Sequence, residues 1–223
     1  EIGVRLVGSE MCIRDRNSIQ WMAQMSHQRE ISEFVQRLKK LLSYNLGKEG
    51  RQTTLRMELE IVKEYIALQQ MRYDFIIEMN IEDGSYLDQP TVRMLFQPLV
   101  ENAIRYGLGD DEKISIQVFE DVARHLAVVT ISDSGKGLNQ EEIDEINQPF
   151  DYDWEYWKNE NRGIGLRYVK AMLESFYDGQ TSLFVNSKKG FGTKITILLP
   201  VREPEEKKEK DKEVTLEENK VGQ

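Results

Sequence analysis

At 223 residues, 39% of them hydrophobic, the chain can bury one good core and carry an appendage. A net charge of -9 argues against a general nucleic-acid binder, because phosphate backbones demand a basic footprint. The single cysteine, Cys12, excludes an internal disulfide and points to a reducing compartment, and no apolar run approaches the roughly 20 residues that span a bilayer.

Residues 1–16 carry no helical or strand period and lack the layout of a signal peptide. From Asn17 to about Leu46 the pattern is helical: Ile31, Phe34, Val35, Leu38, Leu41, Leu42 and Leu46 form a narrow apolar stripe on a charged helix. Such a stripe is expected to pack on another helix, including one from a second subunit. Gly47 and Gly50 interrupt it, and a second helix is predicted over 56–72, with Leu55, Leu59, Val62, Tyr65, Ile66 and Gln69 on one side. The period then shortens. Residues 75–82 alternate like a strand, and Asp83-Gly84 marks a turn.

A helix is expected from Gln89 or Pro90 to Tyr106, with Val92, Leu95, Phe96, Leu99, Ala103 and Ile104 on its apolar face. Asn102 shares another stripe with Arg105 and Tyr106, so an amide oxygen suited to a hard cation sits one turn from a guanidinium suited to phosphate. Gly107 and Gly109 close this helix. Residues 113–120 and 125–132 alternate cleanly and read as an antiparallel pair. A short acidic helix over 139–150, an aperiodic mobile loop over 151–161, a helix over 165–176 and strands at 181–186 and 192–199 complete the pattern. This order predicts an α+β fold, a two-layer α/β sandwich with helices on one face of a mixed sheet. Beyond Pro200 the chain is almost wholly charged and is expected to be a disordered tail.

Three glycine motifs carry the chemistry. Asp133-Ser134-Gly135-Lys136-Gly137 follows directly on a strand, where a carboxylate can accept from the exocyclic amine of adenine. Arg162-Gly163-Ile164-Gly165-Leu166 opens a helix, and the free amides there make an anion site. Gly190-Phe191-Gly192-Thr193 joins the last two strands. Taken singly these are also a turn, a hinge and a hairpin. Neither a dinucleotide G-x-G-x-x-G, which Tyr168 breaks, nor a G-x-x-x-x-G-K-[ST] loop is present.

As an ordered set, the Asn102 helix and these motifs resemble the ATP-binding domain of gyrases, heat-shock chaperone ATPases, histidine kinases and MutL repair proteins, over about residues 75–200. The resemblance implies ATP and Mg2+: Asn102 on the metal, Arg105 and Tyr106 near the phosphates, Asp133 on adenine with Gly135 and Gly137 beside it. Arg162, Gly163, Gly165 and Leu166 would serve the phosphates, Gly192 and Thr193 the far side of the base, and 139–161 would be a lid. The ATPase members place a water-activating glutamate at i-4 from the asparagine; here that position is Pro98, which disfavours simple hydrolysis. The segment Leu99-Val100-Glu101-Asn102-Ala103-Ile104, together with the helix at 55–73, resembles the LytS/YesM type of membrane sensor histidine kinase from Asn17 to about Pro200.

That resemblance implies a phosphoryl transfer to histidine and then to the aspartate of a response regulator, with Glu101 as the catalytic group that polarises the accepting imidazole. It also implies a homodimer through a partial helical segment at 17–54, a catalytic domain at 55–200, and a cytoplasmic setting whose membrane link lies outside these residues. The family's accepting histidine would fall near Glu10, where nothing matches. Residues 1–16 look like an unrelated leader, similar to a translated adapter. His27 and His125 are poor substitutes, so nucleotide binding without self-phosphorylation is expected. Rival readings are an ATPase of the same fold and a nucleotide-dependent regulator-binding module.

Overall fold

The computed structural model describes residues 29–47, 52–147 and 164–202. The elements in chain order are α1 (Arg29–Asn45), β1 (Thr53–Thr54), α2 (Leu55–Gln70), β2 (Ile76–Ile81), β3 (Pro90–Thr91), α3 (Gln97–Tyr106), β4 (Lys113–Asp121), β5 (Leu126–Asp133), α4 (Gln140–Asn147), α5 (Ile164–Phe176), β6 (Ser182–Ser187) and β7 (Thr193–Pro200). Five strands form one mixed sheet in the order β2-β4-β5-β7-β6, with β2 parallel to β4 and every other pairing antiparallel. A separate two-stranded pairing joins β1 to β3.

The alternation along the strands explains the layers. Ile114, Ile116 and Val118 of β4, Ala127, Val129 and Ile131 of β5, and Ile195, Ile197 and Leu199 of β7 all point to one face and are buried. Leu59, Val62 and Ile66 of α2, Leu99, Val100 and Ala103 of α3, and Leu166, Val169 and Leu173 of α5 cover that face. This is the expected α+β arrangement of helices on one side of a mixed sheet. Truncating a fully buried side chain such as Leu99 to alanine costs about 2–5 kcal/mol in such a setting.

Helix α2 is buried on two sides. Leu55, Leu59, Val62 and Ile66 face the sheet core, whereas Ile61 and Leu68 pack with Leu41 and Tyr44 of α1. Ion pairs from Arg37 and Lys40 to Glu64, at 2.6 and 2.9 Å, flank that contact. The α1 stripe is therefore only partly covered: Val35 and Leu41 are buried, while Ile31 and Leu46 remain exposed. The expected start of this helix at Asn17, the leader at 1–16 and the tail from 203 onward lie outside the described residues.

One expectation is corrected. The helix bearing Asn102 begins at Gln97 rather than near Pro90. Pro90 and Thr91 are spent on β3, and Met94 adopts φ 61°, which a right-handed helix cannot contain. The Glu58 carboxylate takes the Met94 and Leu95 backbone N–H groups at 2.8 and 2.7 Å, offering them an alternative to helical bonds. Val92, Leu95 and Phe96 are buried as the apolar pattern requires, but in a turn.

Candidate functional site

Asp133 is the last residue of β5, and its surroundings follow from strand register. It lies opposite Thr193 of β7, so the Thr193 N–H donates to its Oδ1 at 3.0 Å, joined by the Gly135 N–H at 3.2 Å. Burial pushes the Asp133 carboxyl above its ordinary value, and these two donors pull it back. Oδ2 makes no hydrogen bond among the described residues. One oxygen is thus committed to holding the side chain, and the other is available as an acceptor.

Close backbone contact fixes this corner. Gly192 has φ 84°, and a Cβ there would stand 2.0 Å from the Asp133 carbonyl oxygen. Gly135 packs on Gly107 at the end of α3, with its missing Cβ 2.5 Å from the Gly107 Cα. Gly137 lies beside the Lys188 carbonyl. Ser187 ties the pieces together: its Oγ accepts from the Leu138 N–H at 2.8 Å, donates to the Gly192 carbonyl at 2.8 Å and meets Thr193 Oγ1 at 2.9 Å. Sequence reasoning passed over Ser187, although its place at the end of β6 opposite Thr193 could have flagged it.

Helix α3 sets Asn102 and Glu101 on different sides. Asn102 faces α5: a Cβ on Gly165 would lie 3.5 Å from the Asn102 Nδ2. An amide side chain and the first turn of a helix, whose N–H groups lack intrahelical partners, are therefore neighbours. Glu101 pairs with Arg105 at 3.6 Å on the exposed flank of α3. It lies near Tyr65 of α2, whose phenol is pushed up to about 12 by burial first and then by the Glu101 charge. Arg105, expected near the phosphates, thus has its partner in Glu101, as i,i+4 spacing allows. Tyr106 is half exposed, with the Lys136 Nζ 4.8 Å from its ring centroid. Leu166 is buried in the core, so only its backbone could meet a ligand.

Arg162, Gly163 and the greater part of the expected lid, 148–161, lie outside the described residues. The described start of that segment, α4, is closed by a reciprocal cap: Asn139 Oδ1 accepts from the Glu142 N–H, and Glu142 Oε2 accepts from the Asn139 N–H, both at 2.9 Å. His125 does not open a core strand as expected. It is an exposed turn residue at φ 53°, at the opposite end of β5 from Asp133 and roughly 25 Å away along the strand. Residues 113–121 and 126–133 need only that short turn between them, which a left-handed residue closes.

A hard cation has a limited donor set here. Among the described residues no group of three or more His, Cys, Asp or Glu side chains could hold a metal ion. One amide oxygen, from Asn102, fits a magnesium ion that keeps waters and takes its remaining ligands from phosphate oxygens.

Comparison with known proteins shows the family. The family model described as histidine kinase-, DNA gyrase B- and HSP90-like ATPase matches residues 87–203, more than half of the chain, and a second model, histidine kinase, matches residues 17–76. The sensor protein kinase HptS of Staphylococcus aureus, strain bovine RF122 / ET3-1, is 30% identical over 168 residues, covering 75% of this chain and 32% of that protein. The HptS of strain USA300 matches equally, and the chain spans about one third of the length of these curated relatives. Among solved structures, the histidine kinase domain of an Erythrobacter litoralis blue-light activated kinase is 18% identical at TM-score 0.47, covering 86% of this chain and 94% of that one. The mycobacterial sensor histidine kinase MprB is 18% identical at TM-score 0.47, covering 69% and 99%. The chain belongs to the histidine kinase-, DNA gyrase B- and HSP90-like ATPase family, and it is homologous to sensor histidine kinases.

Proposed function

We propose that this chain is the nucleotide-binding catalytic region of a two-component sensor histidine kinase, using ATP with Mg2+. The observation that carries the reading is the half-committed Asp133 carboxylate at the end of β5, with one oxygen fixed by Gly135 and Thr193 and the other open to an exocyclic amine. Asn102 would contribute its amide oxygen to the metal, and the first turn of α5, with Gly165, would receive the phosphates through backbone N–H groups. When bound, Mg2+ neutralises phosphate charge.

In the transfer the bond from the γ-phosphorus to its bridging oxygen breaks, a bond to an imidazole nitrogen forms, and ADP leaves. Glu101 faces the α2 side of α3 rather than the Asn102 side. That separation supports a role for it at the acceptor, where it would hold or take the imidazole proton while Asn102 would serve the phosphates. Pro98, in the first turn of α3, offers no base one turn before Asn102, which disfavours simple hydrolysis. The accepting histidine would be neither His27 nor His125, and the final acceptor would be an aspartate of a response regulator. The α1 stripe, with Ile31 and Leu46 exposed, supports pairing with a second copy, and the catalytic region would work on the cytoplasmic side.

Titration calorimetry with Mg-ADP tests the reading. Saturable binding that is lost in Asp133→Ala is expected, and no heat from well-folded wild-type protein would overturn it.

A further inference from the structure

Helix α3 has no cap of its own. Its N-cap residue is Phe96, which makes no side-chain cap hydrogen bond, and the first turn carries no acid. Four N–H groups at a helix start need acceptors, and the positive end of the helix favours a negative charge. Glu58, from the first turn of α2, brings a buried carboxylate to the turn just ahead of that start. It is 2% exposed; its Oε1 accepts from the Met94 N–H and its Oε2 from the Leu95 N–H.

The same carboxylate is held from the other side by α1. The Tyr44 hydroxyl donates to Glu58 Oε1 and in turn meets Thr53 Oγ1. Tyr44 and Thr53 are both buried, so the chain of hydroxyls is shut off from water. Two further contacts run the same way. The Arg93 Nη1 donates to the Tyr44 carbonyl oxygen at 2.5 Å, with the guanidinium 4.5 Å from the Tyr44 ring centroid, and the Asn45 Nδ2 reaches Gln97 Oε1 at 3.5 Å. The Arg93, Met94, Leu95 and Gln97 contacts join the last turn of α1, or the α2 start beneath it, to the turn ahead of α3 and its first residue, and the Tyr44 hydroxyl ties the two sides together through Glu58.

We infer that Glu58 is a positioning residue: it latches the end of α1 to the start of α3, so that a shift of α1 is carried to the helix bearing Glu101 and Asn102. An apolar side chain of the same volume would fill the space, but it would leave the Met94 and Leu95 N–H groups and the Tyr44 hydroxyl without their acceptor and could not aim them. Hydrogen bonds are directional, and α3 is short, so the angle of its first turn sets where Asn102 stands against Gly165. As regulation of nucleotide binding, the inference rests on the function proposed above; as a mechanical link, it stands without it.

The test uses the whole chain and the variants Tyr44→Phe, Glu58→Gln and the pair combined. Val185→Ala, on edge strand β6, controls for general loss of stability. Two readouts are taken: hydrogen exchange of amides 97–106 and the dissociation constant for Mg-ADP. Tyr44→Phe should speed exchange in the first turn of α3 and weaken Mg-ADP binding about fivefold, the scale of one lost hydrogen bond. Glu58→Gln should do more, and the combined variant should do no more than Glu58→Gln alone, because both break one latch. A merely structural role would lower stability in these variants, as in Val185→Ala, while exchange in 97–106 and affinity kept pace with the control; that result overturns the inference. Should the wild type bind no nucleotide, the kinase reading falls, and exchange in 97–106 then decides the latch by itself.

Discussion

Gly165 and Asn102 lie close enough that a Cβ on the glycine would stand 3.5 Å from the asparagine Nδ2. That distance is ordinary contact, so Gly165→Ala is sterically admissible, and alanine near a helix start is favoured over glycine by about 0.5–1 kcal/mol. The protein should therefore be as stable as wild type or slightly more so. Its Mg-ADP affinity should nonetheless fall more than tenfold, because the new methyl group fills the space between the α5 amides and Asn102. Thermal melting and calorimetry, run side by side, separate the two effects. Equal affinity would mean that phosphates do not enter there.

Asp133→Asn probes what the open oxygen reads. The variant can keep its bonds to Gly135 and Thr193 through Oδ1, so the fold should persist. Its amide N–H would then face a donor on adenine and an acceptor on guanine. Adenine nucleotide binding should drop by one to two orders of magnitude, a loss of about 1.4 kcal/mol per decade. The ratio of Mg-ADP to Mg-GDP affinity should narrow. A ratio that stays as in wild type would remove Asp133 from the base-binding role.

Glu101→Gln should split binding from transfer. The Glu101–Arg105 pair is exposed and contributes roughly 0–1 kcal/mol, so the melting temperature should barely move. Because Glu101 and Asn102 face different ways, Mg-ADP affinity should stay within twofold of wild type. Phosphoryl transfer to a histidine acceptor supplied in trans should fall by about 10²-fold, the usual scale for removing a positioned general base. Undiminished transfer would refute its role.

Much of this arrangement was legible in the sequence because strands announce themselves by alternation. Residues 113–120 and 125–132 read as strands and became β4, with Ile114, Ile116 and Val118 buried at alternate positions, and β5, buried throughout 127–131. The Asn102 helix start was misread for a reason the local pattern hides: Val92, Leu95 and Phe96 satisfy helical spacing, but the acceptor that diverts the Met94 and Leu95 N–H groups sits more than thirty residues earlier. A signal did exist. Glu58 falls on the same stripe as Leu55, Leu59 and Val62, and an acid in an apolar stripe is either an error or a partner. Ser187 was overlooked because a serine at a strand end looks like any turn residue until register sets it against Thr193.

The titration of Glu58 gives a pH signature. Burial pushes its carboxyl above the ordinary value of 4.5, opposed by the Tyr44 hydroxyl and the Met94, Leu95 and Phe96 N–H groups. Arg93 stands over the Tyr44 ring, 4.5 Å from its centroid. With the folded value raised, the native state holds this proton more tightly than the unfolded chain does. The stability the group contributes is then fully present below 4.5 and is lost as pH rises through the raised folded value. Glu58→Gln has no such proton. The unfolding free energy of wild type minus that of Glu58→Gln should accordingly shrink as pH climbs above 4.5, then level off once the carboxyl has ionised in both states. Asp133, raised by burial as well, is common to both proteins and cancels in the difference. Urea unfolding from about pH 4 to about pH 8 measures it. A difference that widens with rising pH would show that the donors around Glu58 outweigh its desolvation and that the folded carboxyl is more acidic than the free one.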